Sequence, residues 1–187
     1  MNLLICLLFS ILIFFITSCK EKCPACDAGY AVLNAYVKSY QKNENVSLSA
    51  FGGGFLDNHV NHLVLRFSSY RALNLEQARI FFVSGAKDFL RAIDQDLKIR
   101  PYLNDYPFPY KEIAFSISFF KKNGGFVDKE YVSYVSIVEG TIFYCHYNET
   151  NRRLETFYSE PYPDAYKIVT GESLESSAMG SEPSSNS

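Results

Sequence analysis

The segment NLEQARIFFVSGAKDFLRAIDQDL, Asn74 to Leu97, decides the fold class. Ala78, Phe82, Ala86, Phe89, Ile93 and Leu97 recur at spacings of four, four, three, four and four residues. That period places them on one side of an α-helix. Glu76, Arg79, Lys87, Arg91, Asp94 and Asp96 fall mostly off the stripe. The helix is therefore amphipathic and must lay its apolar face on another layer. Asn74, with Gln77 three residues on, is close to a capping box.

The other layer is a sheet. Ile113, Phe115, Ile117 and Phe119 alternate with Ala114, Ser116, Ser118 and Phe120, a strong strand pattern. Tyr131 to Val138 and Thr141 to Tyr147 supply two more strands, with turns at Asn123-Gly124-Gly125 and Glu139-Gly140. These three form an antiparallel meander, and Leu154 to Tyr158 adds an edge strand. Upstream, Val46 to Phe51 and Asn61 to Phe67 alternate at period two and pair as a hairpin, the first interrupted by Gly52-Gly53-Gly54. That glycine run lacks the following Lys and Ser or Thr that a phosphate-cradling loop needs. Residues 27–42 read as an N-terminal helix capped by Asp27, with Ala28, Val32, Ala35, Tyr36 and Tyr40 at helical spacing. The expectation is a single α+β domain over residues 27–170: an antiparallel sheet of about five strands, hairpin plus meander, with helix 75–97 on one face. The chain from residue 171 to 187 is Ser- and Glu-rich, a composition that stays disordered.

Residues 1–19 carry no charge, and Leu3 to Ile16 is apolar except for Ser10. That run is too short for a membrane-spanning helix, which needs about 20 apolar residues. It fits the apolar core of a signal peptide, followed by the small residues Thr17 and Ser18. Ile16-Thr17-Ser18-Cys19 resembles a lipobox, the tetrapeptide at which bacterial lipoproteins are acylated and cut. The resemblance implies a signal peptide over residues 1–18 and diacylglycerol and acyl chains on Cys19 as the covalent lipid. It also implies a bilayer-anchored protein of the cell envelope. Lys20 stands where inner-membrane lipoproteins usually carry Asp, so the outer membrane is favoured. Residues 19–26 would be a short tether.

The 187-residue chain carries 18 basic and 20 acidic residues, a net charge of -2. Without a basic excess it is not expected to bind nucleic acid. Its cysteines are Cys6, Cys19, Cys23, Cys26 and Cys145. Cys23-Pro24-Ala25-Cys26 reads as a redox pair, half a metal site, or a local disulfide. Zinc needs four ligands, so two more would have to come from Cys145 or a His elsewhere, and no metal or other cofactor is expected.

His59 and His62 would share a face on a helix but point oppositely on a strand, which is the reading here. Cys145 and His146, adjacent on a strand, cannot make a nucleophile–base pair. No catalytic residue is assigned. Asp94, Asp96 and Asp105 are expected to be solvated. Two Pro-aromatic segments, residues 101–110 and 158–166, are the best binding candidates through Tyr102, Tyr106, Phe108, Tyr110, Tyr162 and Tyr166. Proline stiffens such loops, and tyrosine offers contact area at low entropy cost. The competing reading folds both segments over the sheet ends and buries their rings. The functional expectation is a non-enzymatic binding, assembly or structural module meeting another envelope protein or a glycan. The alternative is a thiol redox protein using Cys23 and Cys26.

Overall fold

A computed structural model describes residues 22–174. The lipobox-like run, Cys19 and the tail beyond residue 174 lie outside the described residues. The elements are α1 (Pro24–Glu44), β1 (Ser47–Leu56), β2 (His59–Ser69), α2 (Leu75–Gln95), β3 (Ile113–Phe119), β4 (Tyr134–Val138), β5 (Thr141–Asn148), β6 (Arg153–Pro161) and α3 (Tyr162–Thr170), with short 3-10 turns at Arg100–Tyr102 and Tyr110–Glu112. The class is α+β, as expected.

The six strands lie in chain order, β1 to β6. The hairpin and the meander are both present. The junction between them differs from expectation: β2 and β3 run parallel, Leu63 opposite Ile113 and Ser69 opposite Phe119, so the sheet is mixed. A parallel pair needs a long crossover, and α2 with the loop after it provides one. The glycines Gly52 to Gly54 lie inside β1 rather than interrupting it. The turn is instead Asp57-Asn58, both at positive φ (51° and 59°), which matches the twist of a two-residue hairpin.

All first-turn amides of α1 are satisfied. Pro24 has no N–H, Ala25 N–H donates to Asn58 Oδ1 at 3.1 Å, Cys26 N–H points at Cys23 Sγ at 3.2 Å, and Asp27 N–H donates to Cys23 O at 3.1 Å. The cap is thus Cys23, not Asp27, and the helix takes in part of the expected tether. The capping box of α2 forms as predicted, Asn74 and Gln77 bonding reciprocally. Asp96 closes that helix, so Leu97 falls outside its stripe and is exposed. Helix α3 replaces an expected loop. Pro161 is its cap and Pro163 lies in its first turn, where a missing N–H costs nothing.

The core sits between the helices and one sheet face. Phe115 of β3 is its aromatic centre: its ring lies 5.8 Å from Tyr40 of α1, 5.7 Å from Phe67 of β2 and 5.4 Å from Phe82 of α2. Gly85 lets α2 approach this cluster, because a Cβ there would meet Tyr40 Oη at 2.6 Å and Phe115 Cζ at 3.0 Å. A second tie is buried and ionic. Arg79 Nε donates to Glu160 Oε1 at 2.7 Å, and Tyr144 Oη donates to the same oxygen at 2.8 Å. Arg79, expected on the solvated face, therefore binds α2 to β6. No described helix is long and apolar enough to cross a membrane.

Phe115→Ala is expected to cost about 3–5 kcal/mol by emptying this centre, read as a fall in the denaturant midpoint. Val138→Ala, at an exposed site, should change stability by no more than about 0.5 kcal/mol. Equal effects would remove Phe115 from that position.

Candidate functional site

The two Pro-aromatic segments meet. Leu90, Tyr106, Phe108, Tyr110, Tyr162 and Tyr166 line one groove of about 740 Å³ between the C-terminal half of α2, the loop after it, and α3. Five of the six aromatic residues predicted for binding are among these. Tyr102 is half-buried and does not line the groove.

The groove is built by the loop that completes the crossover after α2. Asp94, expected to be solvated, is half-buried, and its Oδ1 accepts Phe108 N–H at 2.8 Å. Burial raises its carboxyl pKa, opposed by that amide and by the charge of Arg100. Asp96 accepts Lys98 N–H and Ile99 N–H and shapes the turn out of the helix, whereas Asp105 is exposed as expected. Arg100 donates to Asp94 O at 3.0 Å and to Tyr106 Oη at 2.7 Å, with its guanidinium 4.2 Å over the Tyr106 ring. The Tyr106-Pro107 bond is cis.

The opposite wall is aromatic. Tyr110 and Tyr162 stack at 5.5 Å, and Tyr166 lies 6.1 Å from Tyr162. Gly140 makes room for this wall: a Cβ there would meet Tyr110 Cε2 at 2.7 Å. Tyr162 N–H donates to Gly140 O at 2.9 Å, seating α3 on the β4–β5 turn. Phe108, Tyr162 and Tyr166 are buried; Tyr106 is 53% exposed. Among the described residues the Tyr162 hydroxyl has no hydrogen-bond partner, and burial pushes its pKa upward. Lys87, Arg91 and Arg100 stand around the apolar floor with Asp94, and Arg91 pairs at 3.5 Å with Asp88, which does not line the groove. The arrangement can hold an apolar group and attract negative charge.

A larger groove of about 820 Å³ lies between α1 and α2 over Tyr36, Tyr40 and Phe81. None of the predicted binding residues lines it. Sequence reasoning also missed the four charged residues of the aromatic groove, which α2 and its following loop supply. Arg91 and Asp94 sit three apart on the helix, but only the fold shows that Phe108 reaches Asp94 and lines the same groove.

The remaining candidates do not assemble. His59 and His62 lie on β2, and His59 Nδ1 is 2.8 Å from Asp57 O. His146 Nδ1 is 2.9 Å from Tyr131 O, and its ring stacks on Phe157. Among the described residues no three His, Cys, Asp or Glu could hold a metal ion. Cys145 is buried, its Sγ lies 3.5 Å from Thr156 Oγ1, and burial raises its pKa. Cys23 and Cys26 are joined in a disulfide.

Asp94→Asn keeps an acceptor for Phe108 N–H and removes a charge that burial disfavours. A carboxyl with a raised folded pKa destabilises the fold as pH climbs through that pKa. The substituted protein should therefore melt higher than the parent at about pH 7. The difference should vanish below the ordinary carboxyl pKa of about 3.9. Melting curves at both pH values check this, and a lower melting temperature at neutral pH refutes the assignment.

No family model, curated protein or solved structure matches this chain.

Proposed function

We propose that the protein is a lipid-anchored binding module of the bacterial cell envelope whose groove is non-enzymatic. Its groove takes an acidic, partly apolar segment of another envelope protein. The observation that carries the binding half is the convergence of two distant Pro-aromatic segments on one groove flanked by Lys87, Arg91 and Arg100. The anchoring half rests on Ile16-Thr17-Ser18-Cys19, with the outer membrane as the favoured site. Only three residues separate Cys19 from Cys23, so Cys23, the cap of α1, would stand within roughly 15 Å of the lipidated residue.

A peptide fits better than a glycan. Sugar rings stack on open aromatic faces, and Tyr106 is the most exposed ring of the set, with one face covered by Arg100. The other rings form a lined trough rather than a platform. An apolar side chain could enter that trough while a carboxylate meets the cationic rim.

Two measurements test the halves separately. Intact mass of the membrane-extracted protein should give a chain beginning at Cys19 with a diacylglyceryl group, and Cys19→Ser should abolish both the lipid and membrane recovery. An unlipidated parent chain removes the anchor. For the groove, a photo-crosslinking amino acid at Tyr106 should yield a peptide adduct rich in Asp or Glu, reduced at least about tenfold by Arg100→Glu. The same probe at Tyr70, exposed and outside the groove, should not yield it. A carbohydrate adduct, or equal adducts at both positions, overturns the peptide reading.

A further inference from the structure

We infer that the Cys23–Cys26 disulfide is a thiol–disulfide exchange site, reduced by a protein dithiol, rather than a structural staple. This is independent of the groove. Three observations carry it.

The first is position. Cys23 caps a helix of 21 residues, with Cys26 in its first turn. A sulfur there faces the positive end of the helix and is stabilised as a thiolate. Cys26 N–H already points at Cys23 Sγ at 3.2 Å, so a donor is in place before any charge develops. The second is economy. The bond joins residues only three apart, and a disulfide constrains the unfolded chain less as its loop shortens. Helix α1 is held independently, by Ala25 N–H on Asn58 and by its buried face of Val32, Leu33, Tyr36, Val37 and Tyr40. The third is access. Both cysteines are half-buried, whereas the third described cysteine, Cys145, is buried.

Among the described residues, the charged or titratable groups near the pair are Lys22 before it, Asp27 in the first turn, and Asp57 and His59 at the β-turn that touches the helix start through Asn58. Lys22, Asp27 and Asp57 are exposed, where solvent and salt screen them. The amide and the helix end are the closer influences.

The exchange balances as follows. One partner thiolate attacks Cys26 Sγ. A mixed disulfide forms as the Cys23–Cys26 bond breaks, and Cys23 leaves with the electron pair as the stabilised thiolate. The second partner thiolate then attacks the partner sulfur of the mixed disulfide. Cys26 leaves and takes one proton; the other proton goes to solvent. Two electrons pass from the partner dithiol to the pair, and a protein disulfide restores it by the reverse path.

The test uses the full chain with Cys26→Ser, following alkylation of Cys23 against pH with peptide-resolved mass spectrometry. Cys23 is expected to ionise at least about one pH unit below the ordinary value near 8.5. In parallel, the parent chain is equilibrated in glutathione buffers. The pair should become reduced while near-ultraviolet circular dichroism stays unchanged. An ionisation at or above the ordinary value, a pair that stays oxidised in millimolar glutathione, or loss of the near-ultraviolet spectrum on reduction each overturns the inference.

Discussion

Close packing around Phe115 governs the rest of the structure. Its ring stands mid-sheet on β3 and meets a ring from α1, one from β2 and two from α2. Interiors pack at crystal-like density, so one such centre fixes the spacing of every element touching it. Gly85 is part of the same constraint. Its missing side chain is the space that Tyr40 and Phe115 occupy, and Tyr36 Oη donates to its carbonyl at 2.8 Å. The distance from α1 to α2 is therefore set by rings rather than by the exposed ion pairs of the helices, which contribute little.

The far side of the sheet is tied down differently. Arg79, Glu160, Tyr144 and Tyr158 form a largely buried network between α2 and the edge strand β6. Such a pair gains only modestly over apolar packing, yet removing one partner leaves a buried charge. Its value here is directional. It holds the end of β6 under α2, and α3 begins at the next residue. The wall of the aromatic groove is thus placed by an ion pair outside the groove.

The groove itself follows from topology. Because β2 and β3 are parallel, the chain must return the length of the sheet before pairing again. The return itself is made by α2, and the loop that follows, residues 96–112, packs against the end of that helix. This loop brings Arg100, Tyr106 and Phe108 to Asp94. Its Pro-aromatic composition helps that loop hold a defined path with only two short 3-10 turns. The Cys23–Cys26 pair lies at the other anchor point, where α1 starts and the β1–β2 turn caps it through Asn58.

The local elements were legible in the sequence because they depend on period and caps. The stripe from Ala78 to Ile93, the Asn74 capping box, the alternation at Ile113 to Phe119 and the Glu139-Gly140 turn all appear where their residues place them. Three features were not legible, each for a nonlocal reason. The sense of β3 against β2 is decided by a crossover, and both strands would show the same alternation either way. Tyr162 to Thr170 was hidden by prolines that break helices inside but suit their first turn. The burial of Arg79 and Asp94 depends on partners at Glu160 and Phe108, the first of them 81 residues away. The sequence by itself determined the two-layer class and the helix faces. Only the tertiary structure decided that five aromatics share one groove, because contact between distant segments is a property of packing rather than of period.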